Sequence, residues 1–265
     1  MAAPGDREAM ARVRELLARG EGKGAHDLCR REFGGREPTP EETLLCAEAL
    51  FACGRLQEAE DALRELLRKG GLDASVAVAL ADILGRTGRP DEAVVLLREQ
   101  EQRRPHEAAA PLALGILLSR MAQAEGEEEP RLARCAQAEE AYQRARERGG
   151  WHEAIATGLA ALEVLRRRPG QALALLEEAL AELGAPAARQ RVLADLLLYR
   201  VMWGEKFAAE ETARRLGREA DREPEAFAPV LLELASQARS MAGAGMEWQA
   251  KALFFADILE GLERD

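Results

Sequence analysis

The sequence predicts an all-α protein, a solenoid of about seven helical hairpins with about 14 helices. Composition is the first reason, because Ala, Leu, Glu and Arg dominate the 265 residues and only 4% of the residues are aromatic. Those four residue types favour helices, whereas the β-branched and aromatic residues that favour strands are scarce. The second reason is a repeat of 34 residues, in which a glycine and then an alanine recur at constant positions.

The glycines of the repeat predict the turns of the hairpins. Gly20, Gly54 and Gly88 are each 34 positions apart, and an alanine follows each of them five residues later. The same spacing occurs after Gly204 and Gly245. Glycine often ends a helix because it tolerates positive φ, so each of these positions predicts a turn between two helices.

The alanines of the repeat predict close contacts between helices. Each begins the second helix of a hairpin, and an apolar residue usually follows four positions later on the same face. These alanines are Ala25, Ala59, Ala93, Ala138, Ala172, Ala209 and Ala250. Five residues before Ala138 and Ala172, Ala133 and Arg167 replace the expected glycine. We still expect a hairpin at both places, because the alanine spacing continues.

The fourth hairpin contains an insertion. Ala138 follows Ala93 by 45 residues, which is 11 more than one repeat. The segment 124–130 within it carries four glutamates and ends at Pro130. We expect a solvated loop that lengthens the turn, with Pro130 starting the next helix, because short runs of charge are usually hydrated. An acidic contact for a basic partner is the alternative interpretation.

This pattern resembles the tetratricopeptide repeat family, whose 34-residue helix-turn-helix has a small residue in its first helix, a turn glycine, an early alanine in its second helix and a proline near its end. Prolines near that last position are Pro38, Pro105, Pro186 and Pro224. The resemblance covers essentially the whole chain and implies one right-handed superhelical domain. Its units would be 6–39, 40–73, 74–107, 108–152, 153–186, 187–224 and 225–265. The large aromatic residue that the family has early in the first helix is absent.

The resemblance also implies a binding surface. In tetratricopeptide arrays the first helices line a groove that holds segments of other proteins, and its positions carry over by register. They are Arg14, Leu44, Glu48, Phe51, Val78, Asp82, Arg86, Leu112, Ile116, Arg120, Leu198 and Met202. Apolar anchors with a few charges suit a protein or peptide partner. Interhelical packing is the alternative role for each residue. The family's carboxylate clamp uses groove asparagines, which this chain lacks, so we expect no such clamp.

Several other classes of protein are disfavoured. The net charge of -10 argues against sequence-independent binding of nucleic acid. No apolar stretch approaches the ~20 residues of a membrane span, and the first residues lack the apolar core of a secretory signal. Neither the four cysteines nor the three histidines have the spacing of a metal or catalytic motif. The glycine-rich segment 20–24 falls on a predicted hairpin turn, which argues against a phosphate loop. We therefore expect reduced thiols, a cytoplasmic location and no catalytic, cofactor-binding or metal-binding residue.

The sequence thus predicts a non-catalytic adaptor or scaffold that binds a partner segment in the groove. Two alternatives stay open: a self-associating structural scaffold, and a regulatory subunit of an enzyme complex with an unrecognised site. The strongly apolar C-terminal helix, residues 246–263, would either cap the last repeat or dock on a second copy of the chain. The high content of Arg, Ala and Gly is typical of a GC-rich genome, so we expect a bacterial source.

Overall fold

A computed structural model describes residues 4–69, 74–243 and 246–264, so the predicted turn at Gly245 lies outside the described residues. The described residues form 14 α-helices and contain no strand. The helices are α1 Pro4–Ala18, α2 Gly22–Phe33, α3 Pro40–Ala52, α4 Leu56–Arg68, α5 Ala74–Arg86, α6 Pro90–Arg103, α7 Ala109–Ala124, α8 Glu128–Gly149, α9 Glu153–Leu165, α10 Pro169–Glu182, α11 Pro186–Trp203, α12 Lys206–Ala220, α13 Pro224–Gly243 and α14 Met246–Arg264. The all-α class is confirmed, with two helices for each predicted hairpin.

The chain divides into two compact units, with the boundary between Met121 and Ala122. In the first unit, every helix from α1 to α5 packs on the next one, and α3 also packs on α1 and α5. In the second unit, every helix from α8 to α13 packs on the next one, and α11 also packs on α9 and α13. Contacts between each helix and its next two neighbours are typical of stacked helical hairpins. The single superhelical domain stays a prediction.

The alanines of the repeat lie where helices touch. Six of them have 0% exposure: Ala25, Ala59, Ala93, Ala138, Ala172 and Ala209. Ala250 is exposed instead, and α14 buries Ala252, Phe255 and Leu259. The predicted register of the last hairpin is therefore wrong. The apolar residues of α14 cover more than one helical face, so their spacing alone does not determine which face packs.

The turn glycines adopt the predicted backbone conformation. Gly20, Gly54, Gly88 and Gly204 have φ values of 75° to 78°. A Cβ atom at any of them would meet no atom within 4 Å, so it is the positive φ that favours glycine. Arg167 takes φ 60° at the corresponding turn before α10. The turn geometry therefore persists where glycine is missing, at a cost in backbone strain.

The glycine-rich segment 20–24 has a packing role as well as a turn. Gly22 is the first residue of α2, and a Cβ atom there would lie 2.7 Å from backbone atoms of Ala52 at the end of α3. Side chains other than hydrogen have no room at this contact. Close approach of two hairpins therefore accounts for Gly22, and the turn accounts for Gly20.

The 11-residue insertion lengthens the helices of the fourth hairpin instead of forming a loop. Between α7 and α8 only residues 125–127 are non-helical, as many as between α5 and α6. Ala138 is the eleventh residue of α8, whereas Ala93 is the fourth residue of α6. The insertion therefore adds seven residues, or about two turns, before Ala138. The remaining residues extend the end of α7.

The prediction of a solvated loop over residues 124–130 is consequently wrong for most of that segment. Glu128 begins α8, and Glu129 and Pro130 follow it in the first turn, so the helix starts two residues before the predicted Pro130. Glutamate is a good helix former, and its charge is favourable near a helix N-terminus. Ala133 lies inside α8 and not at a turn.

In the second and third hairpins, an arginine after the turn glycine contacts the previous hairpin. Arg89 donates a hydrogen bond of 2.6 Å to Glu60, a buried residue of α4 that is 29 positions earlier. Arg55 makes the equivalent contact with His26, again 29 positions earlier, at 2.5 Å. The repeated Gly-Arg pair thus combines a backbone turn with a contact between neighbouring hairpins.

Candidate functional site

The first unit contains a cavity between three consecutive first helices. Residues of α3, α5 and α7 line it, and its volume is ≈ 600 Å³. Leu63 of α4 and Leu97 of α6, which are both buried, also line it. Pockets that bind small ligands or side chains of partners fall in the range of about 300–1,000 Å³, so this cavity is large enough for either.

Seven of the predicted groove residues line this cavity: Glu48, Phe51, Val78, Asp82, Leu112, Ile116 and Arg120. The rest of the wall includes small residues. Ala79, Ala109 and Ala113 were not predicted, because alanine is equally common at ordinary packing positions. Ser75 lies on the face of α5 that carries Val78 and Asp82. Small side chains beside larger apolar ones leave the space that forms the cavity.

The lining changes from apolar to charged along α5 and α7. On α7, Leu112, Ile116 and Arg120 follow one another at intervals of four residues and share one face. On α5, Val78 and Asp82 have the same spacing. On α5 and α7 the apolar residues therefore lie nearer the helix starts and the charged residues nearer the helix ends, whereas on α3 Glu48 precedes Phe51.

At the charged end, one carboxylate lies between two arginines. Nη1 of Arg120 donates to Oδ1 of Asp82 at 2.8 Å, and Nε of Arg86 lies 3.4 Å from Oδ2. The guanidinium of Arg86 also lies over the ring of Phe51, 4.4 Å from its centroid. These side chains connect α3, α5 and α7, and each contact favours the positions of the others. Arg86 does not itself line the cavity, but it contacts Asp82 and Phe51, which do.

Glu48 is the other acidic residue of the cavity. No hydrogen bond or ion pair joins its carboxylate to any residue that the structure describes. Desolvation by the surrounding protein raises the pKa of Glu48, and the positive charge of Arg14 opposes that rise. Arg14 therefore acts on the cavity through its charge without lining it.

The structure does not bring all the predicted groove residues together. Leu44 is partly buried on α3 and is not part of the cavity wall. Leu198 and Met202 belong to α11 in the second unit, where they are partly buried against that unit's core. Seven of the twelve predicted groove residues thus line one cavity, and their role in binding a partner stays a prediction.

Sequence reasoning missed an acidic residue on the corresponding face of the second unit. Asp195 shares a stripe of α11 with Leu198, Tyr199 and Met202, at intervals of three and four residues. Burial, and secondly the negative charge of Glu233, raise the pKa of Asp195 to about 7. The spacing alone could have indicated this position, but not its burial or its acidic neighbour on α13.

The described residues offer little for other kinds of site. They contain no group of three His, Cys, Asp or Glu side chains placed to hold a metal ion. All four cysteines are free thiols, with Cys29 and Cys135 buried. Among the described helices none combines the length and the apolar character needed to cross a bilayer.

Comparison with known proteins finds similarity in structure only. No protein-family model matches the chain, and no curated protein matches its sequence significantly. The human IFIT1 dimer with PPP-AAAA is 16% identical, with a TM-score of 0.59 over 90% of this chain and 54% of that one. TTC0263, a thermophilic TPR protein of Thermus thermophilus, is 16% identical, with a TM-score of 0.58 over 72% of this chain and 97% of that one. A tetratricopeptide repeat protein from Parabacteroides merdae is 14% identical, with a TM-score of 0.51 over 94% of this chain and 98% of that one.

At these identities the comparisons concern the fold. They agree with the internal features of the chain, namely paired helices, turn glycines with positive φ and buried alanines at constant spacing. The chain therefore has a tetratricopeptide-repeat-like, helical-repeat fold.

Proposed function

We propose that the chain is a non-catalytic adaptor that holds a segment of a partner protein against α3, α5 and α7. The observation that carries this proposal is the cavity, because side chains from three consecutive first helices surround one space of ≈ 600 Å³. Stacked hairpins present extended surfaces of this kind for binding. A cytoplasmic location stays a prediction.

The lining explains how a partner segment would be held. Val78, Leu112 and Ile116 are partly exposed apolar side chains at the more apolar end of the cavity. An apolar side chain of the partner would remove them from water, and such anchors in pockets dominate the free energy of protein association. The charged residues at the other end would determine which segments fit.

A selection experiment tests the location of the site. Peptides that bind the intact chain are selected from a displayed random library, and their affinities for two variants are compared. Val78→Asp places a charge in the cavity, whereas Val95→Asp places the same charge on α6, where Val95 is 57% exposed and outside the cavity. We expect Val78→Asp to weaken binding by at least about tenfold and Val95→Asp to leave it unchanged. Equal affinities of the two variants would contradict the proposal.

Self-association is a second candidate function, favoured by one feature of the last hairpin. Leu253 on α14 is 69% exposed and borders a cavity of ≈ 460 Å³ with Ala238 and Arg239 of α13. A second copy would cover this surface. Sedimentation of the wild type and Leu253→Glu at several concentrations tests it, and a concentration-independent monomer in the wild type would exclude it.

A further inference from the structure

The acidic residues around the cavity differ in whether they form an ion pair. Glu42 and Glu60 are buried on α3 and α4, and each forms ion pairs with arginine. Asp82 is held by Arg86 and Arg120. Glu48 is the cavity-lining acid whose carboxylate has no hydrogen bond or ion pair among the described residues. A cavity that contacts a partner thus presents a carboxylate with both oxygens available.

The position of Glu48 makes it effective for recognition. It lies one turn before Phe51 on α3 and shares the cavity with Val78 and Ile116. An ion pair formed beside these apolar side chains would be less screened by water than a pair on an open surface. A cation that reached Glu48 would therefore be bound next to an apolar anchor.

The charge of the rest of the molecule agrees with this position. The chain has a net charge of -10, which attracts basic segments over long distances and raises their rate of association. Around Asp82, Arg86 and Arg120 together carry one more charge than that carboxylate neutralises. The surroundings of Asp82 therefore disfavour a basic residue. Glu48 feels only the charge of Arg14, which forms no ion pair with it among the described residues, so the more favourable place for a basic residue is beside Glu48.

We propose that the partner segment is basic and amphipathic: an apolar side chain enters between Val78, Leu112 and Ile116, and an adjacent lysine or arginine pairs with Glu48. This inference rests on the proposed function, since it assumes that the cavity is the docking site. It adds the chemistry of the occupant, which neither the fold nor the size of the cavity determines.

Two synthetic peptides test the inference with the intact chain. Both carry a fluorophore and leucines at the same helical spacing, and the polar positions hold lysine in one peptide and glutamate in the other. Fluorescence anisotropy measures their affinities for the wild type, Glu48→Gln and Glu99→Gln. Glu99→Gln is the matched control, because Glu99 is exposed on α6, outside the cavity, and the change in net charge is the same.

We expect the wild type to bind the lysine peptide at least about tenfold more tightly than the glutamate peptide. Glu48→Gln should weaken the lysine peptide by about three- to tenfold, as expected for loss of one partly desolvated ion pair. Glu99→Gln should change its affinity by less than about twofold, because a surface charge outside the interface acts only at long range. Circular dichroism of each variant verifies that the helices are intact.

The possible results separate this inference from the proposed function. Equal effects of Glu48→Gln and Glu99→Gln would overturn the pairing with Glu48 and leave general attraction between opposite charges. If both peptides bind equally and Val78→Asp abolishes both, the cavity is the docking site but the inferred charge of its occupant is wrong. If Val78→Asp leaves binding of the lysine peptide unchanged, the proposed function itself fails. Absence of saturable binding by either peptide would overturn both.

Discussion

Arg167 occupies a turn in which its backbone conformation is unfavourable. Its φ of 60° lies in the left-handed region, and the equivalent turns place glycine there. Replacing it with glycine should therefore stabilise the second unit. The Arg167 side chain is exposed and forms no hydrogen bond or ion pair with the described residues, so the replacement removes no such contact.

The expected gain is the difference between two effects. A left-handed conformation costs a residue with a Cβ atom about 1–2 kcal/mol, and glycine removes this cost. Glycine also gives the unfolded chain more freedom, which lowers stability by about 0.4–1 kcal/mol. We therefore expect Arg167→Gly to increase the free energy of unfolding by about 0.5–1 kcal/mol.

Urea unfolding measures this change, and the control is Arg167→Ala. Alanine removes the same long side chain but keeps the Cβ atom and therefore the strain. It should match the wild type within about 0.5 kcal/mol, as is usual for an exposed position. The transition assigned to the second unit is the one to compare, since two compact units need not unfold together. Equal stabilities of the glycine and alanine variants would refute the argument from strain.

Two further predictions concern packing and pH. Gly22→Ala should destabilise the first unit by about 2 kcal/mol or more, because the new Cβ atom would lie 2.7 Å from backbone atoms of Ala52. Calorimetry measures this loss of stability. Gly24→Ala is the control, because a Cβ atom at Gly24 would make only ordinary van der Waals contacts. Asp195 has a pKa raised to about 7 from 3.8, so its ionisation lowers stability as pH rises between these values. Asp195→Asn should therefore stabilise the second unit at pH 8, by at most about 4 kcal/mol, and hardly at pH 4. Urea unfolding at both pH values measures this, and a pH-independent difference would contradict it.

The hairpins were predictable because their geometry requires particular residues at fixed intervals. A turn with positive φ favours glycine, and close helices favour alanine, so Gly54 and Ala59 recur as Gly88 and Ala93. The insertion in the fourth hairpin was not predictable in the same way. The spacing of the repeat gives the number of inserted residues but does not show whether they form a loop or lengthen the helices. Glutamate does not decide between the two, because it is both well hydrated and a good helix former.

The helix faces of the candidate site were also predictable, but the cavity itself was not. Helical periodicity places Val78 and Leu112 at equivalent positions, each three residues before a packed residue, Ala81 or Gly115. The cavity depends on side-chain volumes in three dimensions, including Ala113, whose sequence pattern also fits ordinary packing. Contacts between distant helices, such as Arg120 with Asp82, require the fold before they can be identified.

Site-specific photocrosslinking tests the central claim, that partner segments dock in the cavity of the first unit. A photoreactive residue is placed at Ser75, which lines the cavity from α5, or at Val95 on α6, and both positions are exposed. A peptide selected against the intact chain is then added and irradiated. We predict a crosslink at Ser75 that excess unlabelled peptide suppresses, and none at Val95. A crosslink at Val95 with none at Ser75 would contradict the account.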